Sequence, residues 1–187
     1  PEQRLANFIE AVLTVYASTM SEEALSYRLH RGLLQQDEQM ALLVQRVSGE
    51  FHQHLYFPHI GGVGYSFNPF VWNKRIDPAQ GMLRLVFGLG TRAVDRQDDD
   101  YTRVVALNEP MLRPEGSTDE VRKYSQKIVN VLDLTMNQHV SRDFESVSNI
   151  ASGVPLDMFA SRDSEMEARA RQYNIPNIFS YMLTFKT

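Results

Sequence analysis

The chain has 187 residues, of which 43% are apolar and 22% charged, with a formal net charge of −4. These are the proportions of a soluble globular protein large enough for a core of its own, and the acidic balance argues against general nucleic-acid binding without excluding a local basic pocket. The absence of cysteine excludes disulfides, thiolate nucleophiles and cysteine-type zinc sites and is compatible with a reducing cytosol; no apolar run approaches the length of a membrane span, and no signal peptide is visible.

Residues 2–18 carry Leu5, Phe8, Ile9, Val12, Leu13 and Tyr16 at helical spacing on one face, which predicts an amphipathic helix. Ser21, followed by Glu22 and Glu23, suits the start of a second helix running to about Arg31, with Gly32 as its stop. Met40 to Val47 is apolar on both faces until Gln45 and Arg46 and is expected to be a central strand. Phe51 to Phe57 alternates, with Phe51, Leu55 and Phe57 on one side; it is expected to pair with the preceding strand through a turn at Ser48-Gly49-Glu50.

Further strands are predicted at Gly61 to Phe67, ended by Asn68-Pro69, at 82–87, and at Tyr101 to Leu107. Residues 108–118, with Pro110, Pro114 and Gly116, read as a surface connection. A hairpin is expected from Lys127–Leu134 and Gln138–Val147, joined by Thr135-Met136-Asn137. A late helix at 162–173 has Ser161 as its expected N-cap, with Asp163, Glu165 and Glu167 near its start. The sum is an α+β fold: two N-terminal helices, a mainly antiparallel sheet region and a late helix. Because the chain opens on Pro1 and closes on strand-like residues 180–187, it is expected to be a piece of a longer protein.

The stretch that carries most chemistry is Leu83 to Asp95, where an apolar run ends in Gly88-Leu89-Gly90 and is followed by Arg92 and, four residues on, Arg96. Glycines let a backbone approach an anion, and arginines supply charge and forked donors. The same pattern also describes a plain tight turn. His52, His54 and His59 invite a metal reading, and His52 and His54 would share one strand face, a spacing that zinc sites use. No cysteine or evident carboxylate completes that set, so an exposed hairpin face is expected there.

Four segments, taken in order, resemble one family: Val15-Tyr-Ala-Ser-Thr19, Leu43-Val-Gln-Arg-Val47, Gly61-Gly-Val-Gly-Tyr-Ser66, and Phe87-Gly-Leu-Gly90 with Val94. Over roughly residues 5–110 the chain resembles the pyruvate- and phosphoenolpyruvate-binding ATP-grasp domain of phosphoenolpyruvate synthase and pyruvate phosphate dikinase. The resemblance implies a single partial ATP-grasp domain over 1–187 and the cofactors ATP and Mg²⁺. It also implies phosphoryl transfer from ATP to an enzyme histidine, then to pyruvate or a related acceptor, in a cytoplasmic enzyme without nucleic-acid or membrane partners.

On this basis Gln45, Arg46 and Val47 would line the adenine side, and Gly88, Leu89, Gly90 and Thr91 would lie near the phosphates. Arg92 and Arg103 would stabilise transferred charge, and Asp100, at the end of the run Asp98-Asp99-Asp100, would meet the metal. Gln45 reads otherwise as a strand-end amide facing water, and the arginines as surface groups paired with the aspartates.

Two departures qualify the implied chemistry. Many relatives carry a glutamate directly after Gly-Leu-Gly, where this chain has Thr91, and a neutral hydroxyl cannot replace a carboxylate toward Mg²⁺. The family's upstream Val-Arg-Ser-Ser element, its phosphate-contacting lysine and the histidine carrier domain are not in this chain. The expected partners therefore include the missing upstream half and the carrier domain, and no catalysis is expected from this piece alone. The alternative is a degenerate ATP-grasp domain serving as a regulatory or scaffold module. A β-rich carbohydrate- or protein-binding domain is a third option, drawn from the aromatic stretch 65–72.

Overall fold

The computed structural model describes residues 2–94 and 100–185. Asp95, Arg96, Asp98 and Asp99 therefore lie outside the described residues. The chain divides into two compact units, Pro1–Val47 and Ser48–Thr187.

The first unit holds α1 (Glu2–Ala17), a 3₁₀ turn (Ser18–Met20) and α2 (Glu22–His30). Ser21 caps α2 as expected, its side chain accepting from the Ala24 N–H at 3.2 Å. Gly32, at φ 68°, ends the helical stretch in the left-handed region that glycine adopts at little cost. The apolar stripe of α1 is present, yet no residue of α1 is buried. Met40 to Val47 does not form the expected central strand: these residues have no regular structure, and Leu43 is 82% exposed. An apolar run shows that a segment can be buried; a strand also needs a neighbour to take its N–H and C=O groups. Residues 40–47 join none of the sheets formed by the described residues.

The second unit contains three antiparallel sheets. The first orders β1 (Glu50–His52), β2 (Leu55–Phe57), β6 (Ile128–Asp133) and β7 (Gln138–Asp143); the second orders β3 (Gly61–Tyr65), β4 (Met82–Val86) and β5 (Arg103–Ala106); the third pairs β8 (Ala160–Arg162) with β9 (Tyr181–Leu183). Helices α3 (Thr91–Val94), α4 (Thr118–Tyr124), α5 (Phe144–Ile150), α6 (Leu156–Phe159) and α7 (Ser164–Gln172) connect them. The α+β class and the antiparallel sheets agree with the expectation. Among the described residues no helix is long and apolar enough to cross a membrane.

Three local expectations are corrected. Residues 51–57 are not one strand but a tight hairpin, β1–β2, turning at Gln53-His54 with Gln53 at φ 55°. Leu55 and Phe57 reach the core while Phe51 is 74% exposed, so the alternation continued across a turn. The second strand of the late hairpin ends at Asp143 rather than Val147. Asp143 accepts from the Ser146 N–H at 2.8 Å and its hydroxyl at 2.6 Å, and this cap turns the chain into α5. The N-cap of α7 is Asp163, which accepts from the Met166 N–H at 2.9 Å. Ser161 lies in β8 and its hydroxyl meets that of Thr184 at 2.8 Å.

The core of this unit gathers Leu55 and Phe57 from β2, Val129 and Val131 from β6, Phe144 and Val147 from α5, and Phe159 from α6 around Phe87. The Phe87 ring lies 5.6 Å from Phe57 and from Phe144 and 5.9 Å from Phe159, spacings at which aromatic pairs are favourable. Phe87 directly precedes Gly88, so the packing that stabilises the unit also anchors the glycine turn.

Carboxylates, two of them buried, tie its elements together. Asp163 pairs with Arg122 of α4, and that hydrogen bond holds its carboxyl below the usual range. Asp133 is held low by the Met136 N–H, with Arg142 and the Thr135 N–H adding to it, and Asp143 by the Ser146 hydroxyl and N–H. A depressed folded-state pKa contributes stability that is present above the unfolded value, about 3.9 for aspartate, and is lost as pH falls through the folded value. These carboxylates are therefore expected to contribute undiminished stability from neutral pH to about pH 5 and to lose it steeply below about pH 4. Urea midpoints measured across this range check it. A flat profile down to pH 3 would contradict it, and Asp163→Asn should shallow the loss.

Candidate nucleotide-facing turn

The turn begins where β4 ends. Gly88 sits at φ 91°, and a Cβ there would lie 2.5 Å from Val129 Cγ1 and 2.7 Å from the Asn130 carbonyl oxygen. Only glycine accepts both that conformation and that approach. On the other side Gly61 of β3 backs onto Gly90: a Cβ on Gly61 would come within 2.6 Å of the Gly90 nitrogen. The two glycine motifs of the sequence are thus one feature, a close backbone contact between β3 and the turn after β4.

Side chains from β6 and the segment before it fasten the turn. Gln126, buried, accepts from the Phe87 N–H at 2.8 Å and donates to the Phe87 carbonyl at 3.0 Å, standing in for a neighbouring strand. The Leu89 N–H donates to the Asn130 carbonyl at 2.8 Å. The Asn130 side chain donates to Thr91 Oγ1 at 2.8 Å and accepts from Arg92 Nε at 3.1 Å and from Ser141 Oγ at 2.8 Å. Neither Gln126 nor Asn130 was singled out from sequence. Asn130 carried a usable signal, since it interrupts the apolar run Ile128 to Leu132, and a buried amide there demands partners.

Arg92, Asp100 and Thr91 come together here. Arg92 is 6% exposed, and its Nη1 lies 3.8 Å from Asp100 Oδ2. Asp100 accepts the Lys127 N–H at 2.8 Å and the Ile128 N–H at 2.7 Å, one on each oxygen. Its side chain is 3% exposed. A carboxylate enclosed in this way, with both oxygens engaged by backbone donors and a guanidinium alongside, does not fit Mg²⁺, which keeps several waters and takes carboxylates that face them. Thr91 is exposed and neutral.

Arg103 has different neighbours. It pairs across the sheet with Leu85 and lines a cavity of about 10 Å³ with Arg113 and Glu115, room for one water. Burial, then the Arg113 cation, pull its pKa down to about 10 against the opposing pull of Glu115. Its Nη1 donates to the Val104 carbonyl at 2.7 Å, while Nε and Nη2 are buried without a hydrogen-bond partner. Gln45, Arg46 and Val47 belong to the first unit, where all three are exposed. A larger cleft of about 250 Å³, between Arg122, Phe144, Asp163 and Tyr181, contains none of the expected site residues.

Residues 3–153 match the pyruvate phosphate dikinase AMP/ATP-binding domain. The chain belongs to this family. No curated protein and no solved structure matches it. The matched range takes in α1 and α2, the glycine turn and its fastening by β6, and ends just after α5.

Proposed function

We propose that this chain is the nucleotide-binding portion of an ATP-dependent phosphotransferase of the phosphoenolpyruvate synthase and pyruvate phosphate dikinase type. The parent enzyme would transfer a phosphoryl group from ATP through an enzyme histidine to pyruvate or a related acceptor, in the cytoplasm. The observation that carries this is the family match over residues 3–153, which spans a glycine turn held rigid on three sides. A preformed backbone turn suits phosphate, because phosphoryl transfer depends on positioning and charge stabilisation rather than on protein covalent chemistry.

In this proposal Gly90 and Thr91 face the phosphates, Thr91 aimed by Asn130, while Gly88 and Leu89, buried against β6, shape the turn that presents them. Arg92 acts as a positioning residue, since its guanidinium meets Asn130 and Asp100 beneath the turn. Arg103 keeps two donors unspent and is the second arginine assigned to charge. Gln45, Arg46 and Val47, given to the adenine side by the family resemblance, are exposed residues of the Pro1–Val47 unit. No step is routed through magnesium at Asp100, whose oxygens are engaged.

Mg-ATP titration into this chain and into a longer one restoring the flanking parent sequence tests the proposal. A Cβ on Gly90 would meet nothing nearer than Gly62 N at 3.4 Å, so Gly90→Ala should fold yet crowd a phosphate. Saturable binding in the longer chain, weakened about tenfold by Gly90→Ala, a loss near 1.4 kcal/mol, is expected. Absence of binding in both chains would overturn the proposal. The non-catalytic module is favoured by one observation, that Asp100 has both its oxygens engaged by backbone N–H groups. It predicts nucleotide binding without phosphoryl transfer in the full-length parent.

A further inference from the structure

Glu50, His52 and His59 each bring one ligand-type atom within 4.8 Å of the others. Glu50 and His52 are two apart on β1 and so share a face. The chain returns along β2, and His59, two residues past its end, folds back on them. Its Nε2 lies 3.8 Å from Glu50 Oε2, and its ring centroid lies 5.4 Å from that of His52.

Two features separate this cluster from an ordinary polar patch. The Nε2 atoms of His52 and of His59 are both buried without a hydrogen-bond partner among the described residues, and buried polar atoms in native proteins rarely stay unsatisfied. Both belong to one cluster that also holds a carboxylate. The sequence suggested His52, His54 and His59 and no carboxylate. The hairpin instead sends His54 toward Asp133, 4.0 Å away, and brings His59 back to Glu50 and His52.

We infer that Glu50, His52 and His59 form a binding site for a divalent transition-metal ion of the zinc class, with water completing its coordination. Two imidazole nitrogens and one carboxylate oxygen are a donor set that zinc accepts and hard magnesium does not favour. The ion fastens β1 to the segment after β2. The His59 ring lies 5.6 Å from that of Phe159 in the core, so the hairpin becomes pinned where it meets the core.

Calorimetric titration of Zn²⁺ into the chelator-stripped full chain, repeated with Co²⁺ read by visible absorption, tests this. One ion per chain is expected, with a raised Tm and a Co²⁺ spectrum of nitrogen–oxygen coordination, unaffected by excess Mg²⁺. Because His52 is buried against Phe57, the deciding variants are Glu50→Gln and His59→Ala, at more exposed positions. Each should weaken binding by at least about tenfold, while His54→Ala leaves it unchanged. No saturable binding, or equal binding in His59→Ala and the parent chain, would overturn the inference.

Discussion

Gly88→Ala is expected to destabilise the Ser48–Thr187 unit by about 2–5 kcal/mol, the sum of a left-handed backbone forced on an L side chain and overpacking in a dense interior. Both terms are visible at this position. The residue sits at φ 91°, and the added methyl would lie 2.5 Å from Val129 Cγ1 and 2.7 Å from the Asn130 carbonyl. Neither neighbour can retreat cheaply: Val129 is fully buried, and the Asn130 carbonyl accepts the Leu89 N–H.

Gly90→Ala is the matched control and should stay within about 1 kcal/mol of the parent. Urea unfolding of the two variants side by side measures the contrast. Equal midpoints would mean that the turn does not have this conformation in solution. The contrast also separates two reasons for glycine in a Gly-Leu-Gly sequence. At Gly88 the demand is the chain's own backbone; at Gly90 the space is open enough for an outside group.

Asp100→Ala is expected to cost about 2–4 kcal/mol in the absence of any metal, because it strips a buried acceptor from two backbone N–H groups and a carboxylate from beside a buried arginine. Lys127 and Ile128, whose N–H groups it accepts, open the strand that carries Val129, Asn130 and Val131. Loss of the clamp should therefore loosen Asn130 and, through it, Thr91 and Arg92.

A magnesium-ligand role makes the opposite forecast: unchanged stability in EDTA and an altered Mg²⁺ dependence of nucleotide binding. Thermal unfolding with EDTA and with Mg²⁺ decides between them. A Tm in EDTA equal to that of the parent would remove the structural assignment. Asp100→Asn should fall between, since it keeps one acceptor and loses the charge.

Much of the candidate turn was legible before the fold was known. The Gly88–Gly90 pair after an apolar run marked a turn, and Arg92 was picked out beside it. Its fastening was not legible. Gln126 and Asn130 lie 39 and 38 residues from the Phe87 and Arg92 groups they meet, and side-chain pairing at that separation leaves no period in a sequence. Glu50, two residues from His52 on one strand, had a local signal that was not used, whereas His59 joined them only when β1 and β2 folded into a hairpin.

Local chemistry determined the elements whose causes are local. Ser21 and Gly32 bound α2 through cap and turn conformations that a few residues dictate, and the alternation and turn at 127–143 set the β6–β7 hairpin. Tertiary structure alone decided which of several capable residues was used. Met40 to Val47 had strand composition and joined none of the sheets formed by the described residues. Asp163 displaced Ser161 as the cap of α7 because its carboxylate also answers Arg122 of α4. Asp100, which by type could bind a metal, was enclosed by the N–H groups that begin β6. Each outcome turns on hydrogen-bond partners and charges supplied from distant parts of the chain, and these exist only once the chain has folded.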